Sequence, residues 1–394
     1  MFKINDLQII RQVSVLALSM LWAGIFLSVP VSAQIETKAA YALLIDIDSN
    51  STLLEKNADE LMAPASMSKL VTLGVLFKAI KDERISLEDE IFISENAWRN
   101  GGAPSRTSAM FASLNSEVKV VDLMRGIIVQ SGNDASIAIA EGLSGSEDGF
   151  VEEMETYAQS IGLTKSSFAN PTGLPHPDHL MTARELAIMA RHIIETYPEY
   201  YPIFSERLFK YKRYKFFNRN PLLSKKIGVD GLKTGFTKAS GYGLVASGVI
   251  DGRRMILVLN GLKTKKDRSA EAQKLLRWGA RNFKSVKFFD RNETVGYARV
   301  WGGEQSSVRL GGNNEAVTVL LPRNGVKKIR AAIEYLGPLK APISKGDQVA
   351  YLRVSSENSA TNRIPLYAEE DIAEGGVVSK GLGSLFDLTL GWIF

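Results

Sequence analysis

At 394 residues, 45% apolar and 23% charged, the chain is long enough for one large core plus a smaller one, and its composition excludes a disordered, collagen-like or low-complexity protein. Lys and Arg number 48 against 43 Asp and Glu, and a net charge of +5 spread over so large a surface names no partner by itself. Cysteine is absent, which removes disulfides, thiolate catalysis and cysteine metal sites together.

Lys3 and Arg11 precede an apolar run over about 13–29, and small residues at Val31 and Ala33 frame a cut after Ala33. Residues 1–33 read as a secretory signal peptide; left uncleaved, the same run would be a membrane anchor, and either way the folded part is exported. YALLIDID at 41–48 reads as a strand, and SNS turns the chain into a second short one, TLLEKN. The next element is a helix over 65–80. It is apolar nearly all round, with Met67, Leu70, Val71, Leu73, Val75, Leu76 and Phe77, so it should be buried.

Helical patterns follow at 121–130, 133–142, 147–161 and 183–197. FKYKRYKFFNRN at 209–220 interleaves cations and aromatics as a nucleic-acid track can, but it reads more simply as an exposed strand and loop, and no nucleic-acid partner is expected. Strands return at 229–233, 242–250 and 255–260; Asp251-Gly252 between the last two is a hairpin signal. A helix over 269–283 should pack back on that sheet. Strands at both ends with helices between them predict an α+β or α/β layered domain over 37–286.

From 287 to 374 the pattern changes to short strands and turns, expected as a small all-β domain. The tail, 375–394, places Lys380, Ser384, Asp387 and Gly391 on one helical face and Val378, Leu382, Leu385, Phe386, Leu390 and Ile393 elsewhere. That suits a helix lying in a membrane surface, or one docked on its own protein.

Chemistry gathers in three places. Ser66 and Lys69 lie three apart at the start of the apolar helix, where they share a face and where free backbone N–H groups sit. Ser116-Glu117-Val118-Lys119 repeats the spacing in a segment of strand-like alternation, where the two side chains would diverge. A serine needs a base. Of the three histidines, His176 and His179 sit in a proline-rich loop expected at the surface, His192 sits in a helix, and no further ligands make a metal site of them. Lysine can be the base only when neutral, which requires burial or a neighbouring cation. Lys233-Thr234-Gly235, at the end of a strand, supplies such a cation, and Gly235 leaves the edge clear for a substrate laid along it. Ser131-Gly132-Asn133, between two helices, can project a hydroxyl and an amide into a cleft.

In order and context these three pieces resemble those of the serine DD-peptidases, or penicillin-binding proteins, and most closely the low-molecular-mass D-alanyl-D-alanine carboxypeptidases. PASMSK, LMRGIIVQSGNDA, NPTGL, VDGLKTGFT, DRSAEAQKLLRWG, the β-rich second domain and the amphipathic tail all carry the resemblance. It implies a transpeptidase domain of the penicillin-binding and β-lactamase type. Ser66 would attack the carbonyl between two D-alanines, Lys69 would take its proton, and Ser131 would relay it to the leaving D-alanine. Asn133 would contact the peptide. Lys233 and Thr234, with Arg268, would hold the terminal carboxylate, and Lys233 would keep Lys69 neutral by repulsion. The backbone N–H groups of Ser66 and Phe236 would form the oxyanion hole.

Phe236 stands where some relatives carry histidine, so side-chain effects at that position do not transfer. The implied partners are peptidoglycan stem peptides, β-lactam inhibitors and, through the tail, the outer face of the cytoplasmic membrane; neither cofactor nor metal is implied. A class A β-lactamase would carry a Glu-x-x-Leu-Asn pattern, which is missing here. A DD-endopeptidase and a non-catalytic envelope protein remain as alternatives.

Overall fold

A computed structural model describes residues 35–323, 329–356 and 359–376. The expected signal peptide and nearly all of the expected surface helix lie outside these residues. Among the described residues no helix is long and apolar enough to cross a membrane.

β1 (Tyr41–Asp46) and β2 (Ser51–Lys56) form the first hairpin, and α1 (Lys69–Lys81) follows. The expected single helix from 65 is broken at its start. Ala65 takes φ 49°, and a 3-10 turn, Ala65–Met67, precedes α1 because the Ala65 carbonyl turns back to accept from the Ser68 amide and hydroxyl. A small pair, β3 (Glu90–Phe92) and β4 (Glu117–Lys119), leads to α2 (Val120–Arg125), which widens into a π-helical stretch over Gly126–Gln130. There Gly126 lies against Met110 and Ala135, leaving no room for a β-carbon.

α3 (Asn133–Ser144), α4 (Glu147–Ser160) and α5 (Ala183–Thr196) complete the helical layer. Ser146 and Thr182 cap the last two by accepting from Gly149 and Glu185 amides, each worth about 1 kcal/mol. β5 (Leu208–Tyr211) and β6 (Tyr214–Phe217) make a hairpin whose Phe209, Tyr211 and Phe216 are buried, so the segment expected as exposed is anchored in the core by alternate residues.

β7 (Val229–Thr237), β8 (Gly241–Ile250) and β9 (Arg253–Leu262) are a meander, turning at Asp251-Gly252 with positive φ at both residues. α6 (Lys265–Asn282) then begins four residues before the sequence pattern suggests, because Thr264 caps a first turn too polar to register as periodic. The five strands run in the order β2-β1-β9-β8-β7, so β1 pairs with β9, from Tyr41 opposite Asn260 to Asp46 opposite Met255. Alternation decides both cores: Leu43, Val245, Ile256 and Val258 face α1, α3 and α5, while Leu44, Leu244, Leu257 and Leu259 face Leu275 and Leu276 of α6.

The described remainder is all-β. β10 (Phe283–Phe289) and β13 (Val317–Pro322) pair. β11 (Gly296–Trp301), β12 (Ser307–Gly311), β14 (Arg330–Glu334), β15 (Leu339–Lys340), β16 (Gln348–Ser356) and β17 (Ser359–Ala368) form a six-stranded sheet in the order β14-β16-β17-β12-β11-β15. This domain meets the outer side of β2: the Thr52 amide donates to Asn362 Oδ1 at 2.8 Å, and the Leu320 amide to Ser51 Oγ at 3.2 Å.

Candidate active site

Ser66 sits in the 3-10 turn and is partly exposed, whereas Lys69, the first residue of α1, is fully buried. Lys69 Nζ donates to Ser66 Oγ at 3.0 Å, to Asn133 Oδ1 at 2.7 Å and to the Thr172 carbonyl. Burial, reinforced by the charge of Arg219 and opposed by that of Asp134, lowers its pKa to about 7. A lysine in this state is neutral in a good fraction of molecules at neutral pH.

Ser131 ends the π-helical stretch in the left-handed region, at φ 62° and ψ 36°, and is 2% exposed. Lys233 Nζ donates to it at 2.8 Å. Lys233 is 2% exposed, and its pKa falls well below the ordinary value through burial first, then through the charges of Lys69, Arg219 and Arg268. Desolvation is the larger cause for both; Lys69 adds its charge to the lowering of Lys233, whereas the charge that assists the lowering of Lys69 is that of Arg219, not the Lys233 that the resemblance implies. The Ser116 and Lys119 copy is apart from all this: Ser116 Oγ donates to the Ser113 carbonyl, and Lys119 pairs with Glu88 at 2.7 Å.

β7 is an edge strand, with no further strand paired beyond it among the described residues; Asn220 Nδ2 covers the Gly231 carbonyl at 2.8 Å and Lys233 Nζ reaches the Thr234 carbonyl at 3.2 Å. A β-carbon on Gly235 would come within 2.9 Å of the Pro64 carbonyl and 3.2 Å of the Ala65 Cβ. The glycine thus serves the approach of β7 to the serine turn, and the space it leaves does not face the open edge as the sequence suggested. Thr234 and Phe236 point to the other side, where half-exposed Phe236 stacks on Tyr242 with ring centroids 4.1 Å apart. Arg268, from α6, lies over Tyr242 at 5.7 Å; its Nη1 reaches the Gly243 carbonyl at 3.4 Å, its Nε has no partner among the described residues, and burial brings its pKa to about 10.

Four supporting groups were given no role from the sequence, although all lie in stretches it singled out. Arg219, just past β6, donates to Ser108 Oγ at 2.6 Å and adds positive charge to the pocket of both lysines. Thr172 offers a carbonyl to Lys69 because Asn170 Oδ1 folds the loop, accepting from the amides of Thr172 and Leu174 at 3.1 Å each. Gly173 is at φ 71°, and a β-carbon there would lie 2.2 Å from the Ala65 carbonyl. Buried Asp134 accepts from the amides of Met110, Ala112 and Ala135, which fixes the segment beside Asn133. His179 is also a correction, since at 2% exposure it is buried, with Nδ1 accepting from the Ala169 amide. Among the described residues no cluster of His, Asp or Glu could hold a metal ion.

A serine hydroxyl in contact with a buried amine, a second serine bridged to a second amine, and a free strand edge beside them define a serine acyl-transfer enzyme. The chain matches the model of the D-alanyl-D-alanine carboxypeptidase family over residues 28–264, and that of the penicillin-binding protein 5 C-terminal domain over 283–374. It is 39% identical over 341 residues to the D-alanyl-D-alanine carboxypeptidase DacC of Escherichia coli K12, covering 86% of this chain and 85% of that one. Penicillin-binding protein 5 from Haemophilus influenzae superposes with a TM-score of 0.70 at 37% identity, over 86% of this chain and 98% of that one. Penicillin-binding protein D2 from Listeria monocytogenes, solved in a cefotaxime-bound form, gives 0.57 at 27% identity, over 62% and 98%. The chain belongs to the D-alanyl-D-alanine carboxypeptidase family. It is a serine-type D-Ala-D-Ala carboxypeptidase, a transpeptidase-like α+β domain followed by an all-β domain.

Proposed function

We propose that Ser66 attacks the carbonyl of the penultimate D-alanine of a peptidoglycan pentapeptide stem, as neutral Lys69 accepts its proton. The single observation that carries this reading is the 3.0 Å contact between Ser66 Oγ and an amine whose pKa is held near 7. The tetrahedral oxyanion is held by the amides of Ser66 and Phe236, each such donor being worth roughly 3 kcal/mol. Ser131 relays the proton that Lys69 took, giving its own to the leaving amine as the C–N bond breaks and regaining one from the Lys69 ammonium, and D-alanine departs. Lys233, with Thr234 and Arg268, receives the terminal carboxylate, and its ammonium regains charge in that company. Asn133 orients the peptide as well as Lys69. Water then attacks the Ser66 ester with Lys69 taking its proton; the bond from Oγ to the acyl carbon breaks, Oγ recovers the proton from Lys69, and the shortened peptide leaves as a carboxylate.

β-Lactams acylate the same serine and are expected to inhibit. The protein works outside the cytoplasmic membrane, exported by residues 1–33 and held at the outer surface by the amphipathic 375–394 segment; support for both is the sequence pattern alone. Protein lacking residues 1–33 should release D-alanine from a pentapeptide ending in two D-alanines and be labelled covalently by penicillin. Ser66→Ala should abolish both, and Ser116→Ala neither. Labelling that survives Ser66→Ala would end the assignment. Cross-linked muropeptides cleaved in preference to monomeric ones would favour the endopeptidase reading, and retention of the tail-deleted protein in the membrane fraction would remove the anchor.

A further inference from the structure

The β5–β6 hairpin carries a charge arrangement that folding does not call for. Residues 207–226 hold eight cations and no carboxylate, so against a whole-chain net charge of +5 the rest of the molecule sums to a small negative charge. Lys210 lies directly opposite Lys215 across the hairpin, both exposed, on the face away from buried Phe209, Tyr211 and Phe216. Like charges in register across a strand pair are destabilising. At the turn Lys212 and Arg213 add two more, again exposed.

Neighbouring carboxylates do not relieve them. Glu206 is taken by Arg125 at 3.1 Å and Asp134 by backbone amides, and among the described residues none of Lys210, Lys212, Arg213 or Lys215 is in a salt bridge. The hairpin is also fixed beside the catalytic cleft. Tyr214 packs on Phe111 at 4.9 Å, between Met110 and Ala112, whose amides bind Asp134 next to Asn133; Lys212 donates to Ser113 Oγ at 3.2 Å, and Arg219, just past β6, is close enough for its charge to act on both Lys69 and Lys233.

We propose that this hairpin is a cationic arm that draws in substrates bearing several carboxylates, recognising an acidic stem peptide by charge before the terminal D-alanine reaches Lys233. The proposal rests on the carboxypeptidase reading and extends it to the rest of the peptide. A cleft flanked by one sign of charge raises the encounter rate of an opposite charge by 10-fold or more at low salt, an effect that ionic strength removes. The arm touches no reacting atom, so it alters kcat/KM and leaves kcat unchanged.

The test compares two pentapeptides ending in D-Ala-D-Ala, one with free internal carboxylates and one with those carboxylates amidated, for the wild type and for the quadruple variant K210Q/K212Q/R213Q/K215Q. At about 20 mM salt the wild type should favour the acidic peptide by about tenfold in kcat/KM, and the preference should vanish near 0.5 M. The variant should lack the preference at every salt concentration, with kcat and penicillin labelling of Ser66 unchanged. A variant that keeps the preference, or a wild type without one, overturns the proposal while leaving the carboxypeptidase reading intact; loss of D-alanine release and labelling by the wild type would instead overturn that reading. Vesicles of phosphatidylglycerol provide the remaining arm. If the variant loses binding to them while its substrate preference stands, the hairpin serves an anionic membrane surface and the proposal is wrong.

Discussion

Protonation of Lys69 is the perturbation that tests the site most directly. With a pKa of about 7, Lys69 is neutral in roughly a tenth of molecules at pH 6 and in about nine tenths at pH 8. If it is the base, the second-order rate of acylation by benzylpenicillin should rise about tenfold per pH unit on the acid side, bend near pH 7 and flatten above pH 8. Arg219→Gln removes the positive charge that assists burial in lowering this pKa. The bend should then move to higher pH, so that the variant is slower than wild type at pH 6 and approaches it at pH 9. Fluorescent penicillin labelling followed by rapid quench between pH 5.5 and 9 gives both curves. A flat wild-type profile, or a bend that moves to lower pH in Arg219→Gln, would refute the assignment of Lys69 as base. The same pKa acts on stability with a definite sign. Between about 7 and the ordinary lysine value of 10.5 the unfolded chain binds the proton and the folded one does not, so this group's destabilising contribution is complete below pH 7 and fades as pH rises to 10.5.

Gly173→Ala should destabilise the protein by about 2–4 kcal/mol, combining a left-handed residue with a clash against the Ala65 carbonyl, as read from urea unfolding. Acylation should slow as well, because the clash bears on the residue before Ser66; an unchanged acylation rate would separate the loop from the nucleophile. Asp134→Asn turns an N–H2 group toward backbone donors that now share a carboxylate and should cost about 1–3 kcal/mol. Its acylation rate should fall with it through Asn133, which a stable but slow variant would show most clearly.

What the sequence made legible was what depends on local spacing. Ser66 and Lys69 meet because three residues are about one turn, and the strands of the central sheet alternate between two cores because side chains of a strand alternate. The contact of Lys233 with Ser131 joins residues 102 apart; the sequence offered both residues but not their meeting. Where chain segments from different layers converge, the pattern assigned no role, even to residues inside the stretches it singled out. Arg219 looked like one cation among many, Thr172 acts through a carbonyl that every residue has, and Asp134 binds amides rather than another side chain. Gly235 was noticed for the wrong neighbour, since the backbone that crowds it lies 171 residues earlier at Pro64. His179 stands among prolines and an aspartate that suggest solvent, yet edge-on packing with Phe168 encloses it.

The attachment of the β-domain to β2 bears on how this enzyme meets extended chains. A sheet with two bare margins would invite strands from any neighbour at either side. Here Asn362 and Leu320 occupy one margin, and the opposite margin is β7, whose Gly235 packs against the turn that carries Ser66. On the acyl-transfer reading proposed above, a peptide joining this sheet as a sixth ribbon would lie along the border that runs beside the Ser66 turn.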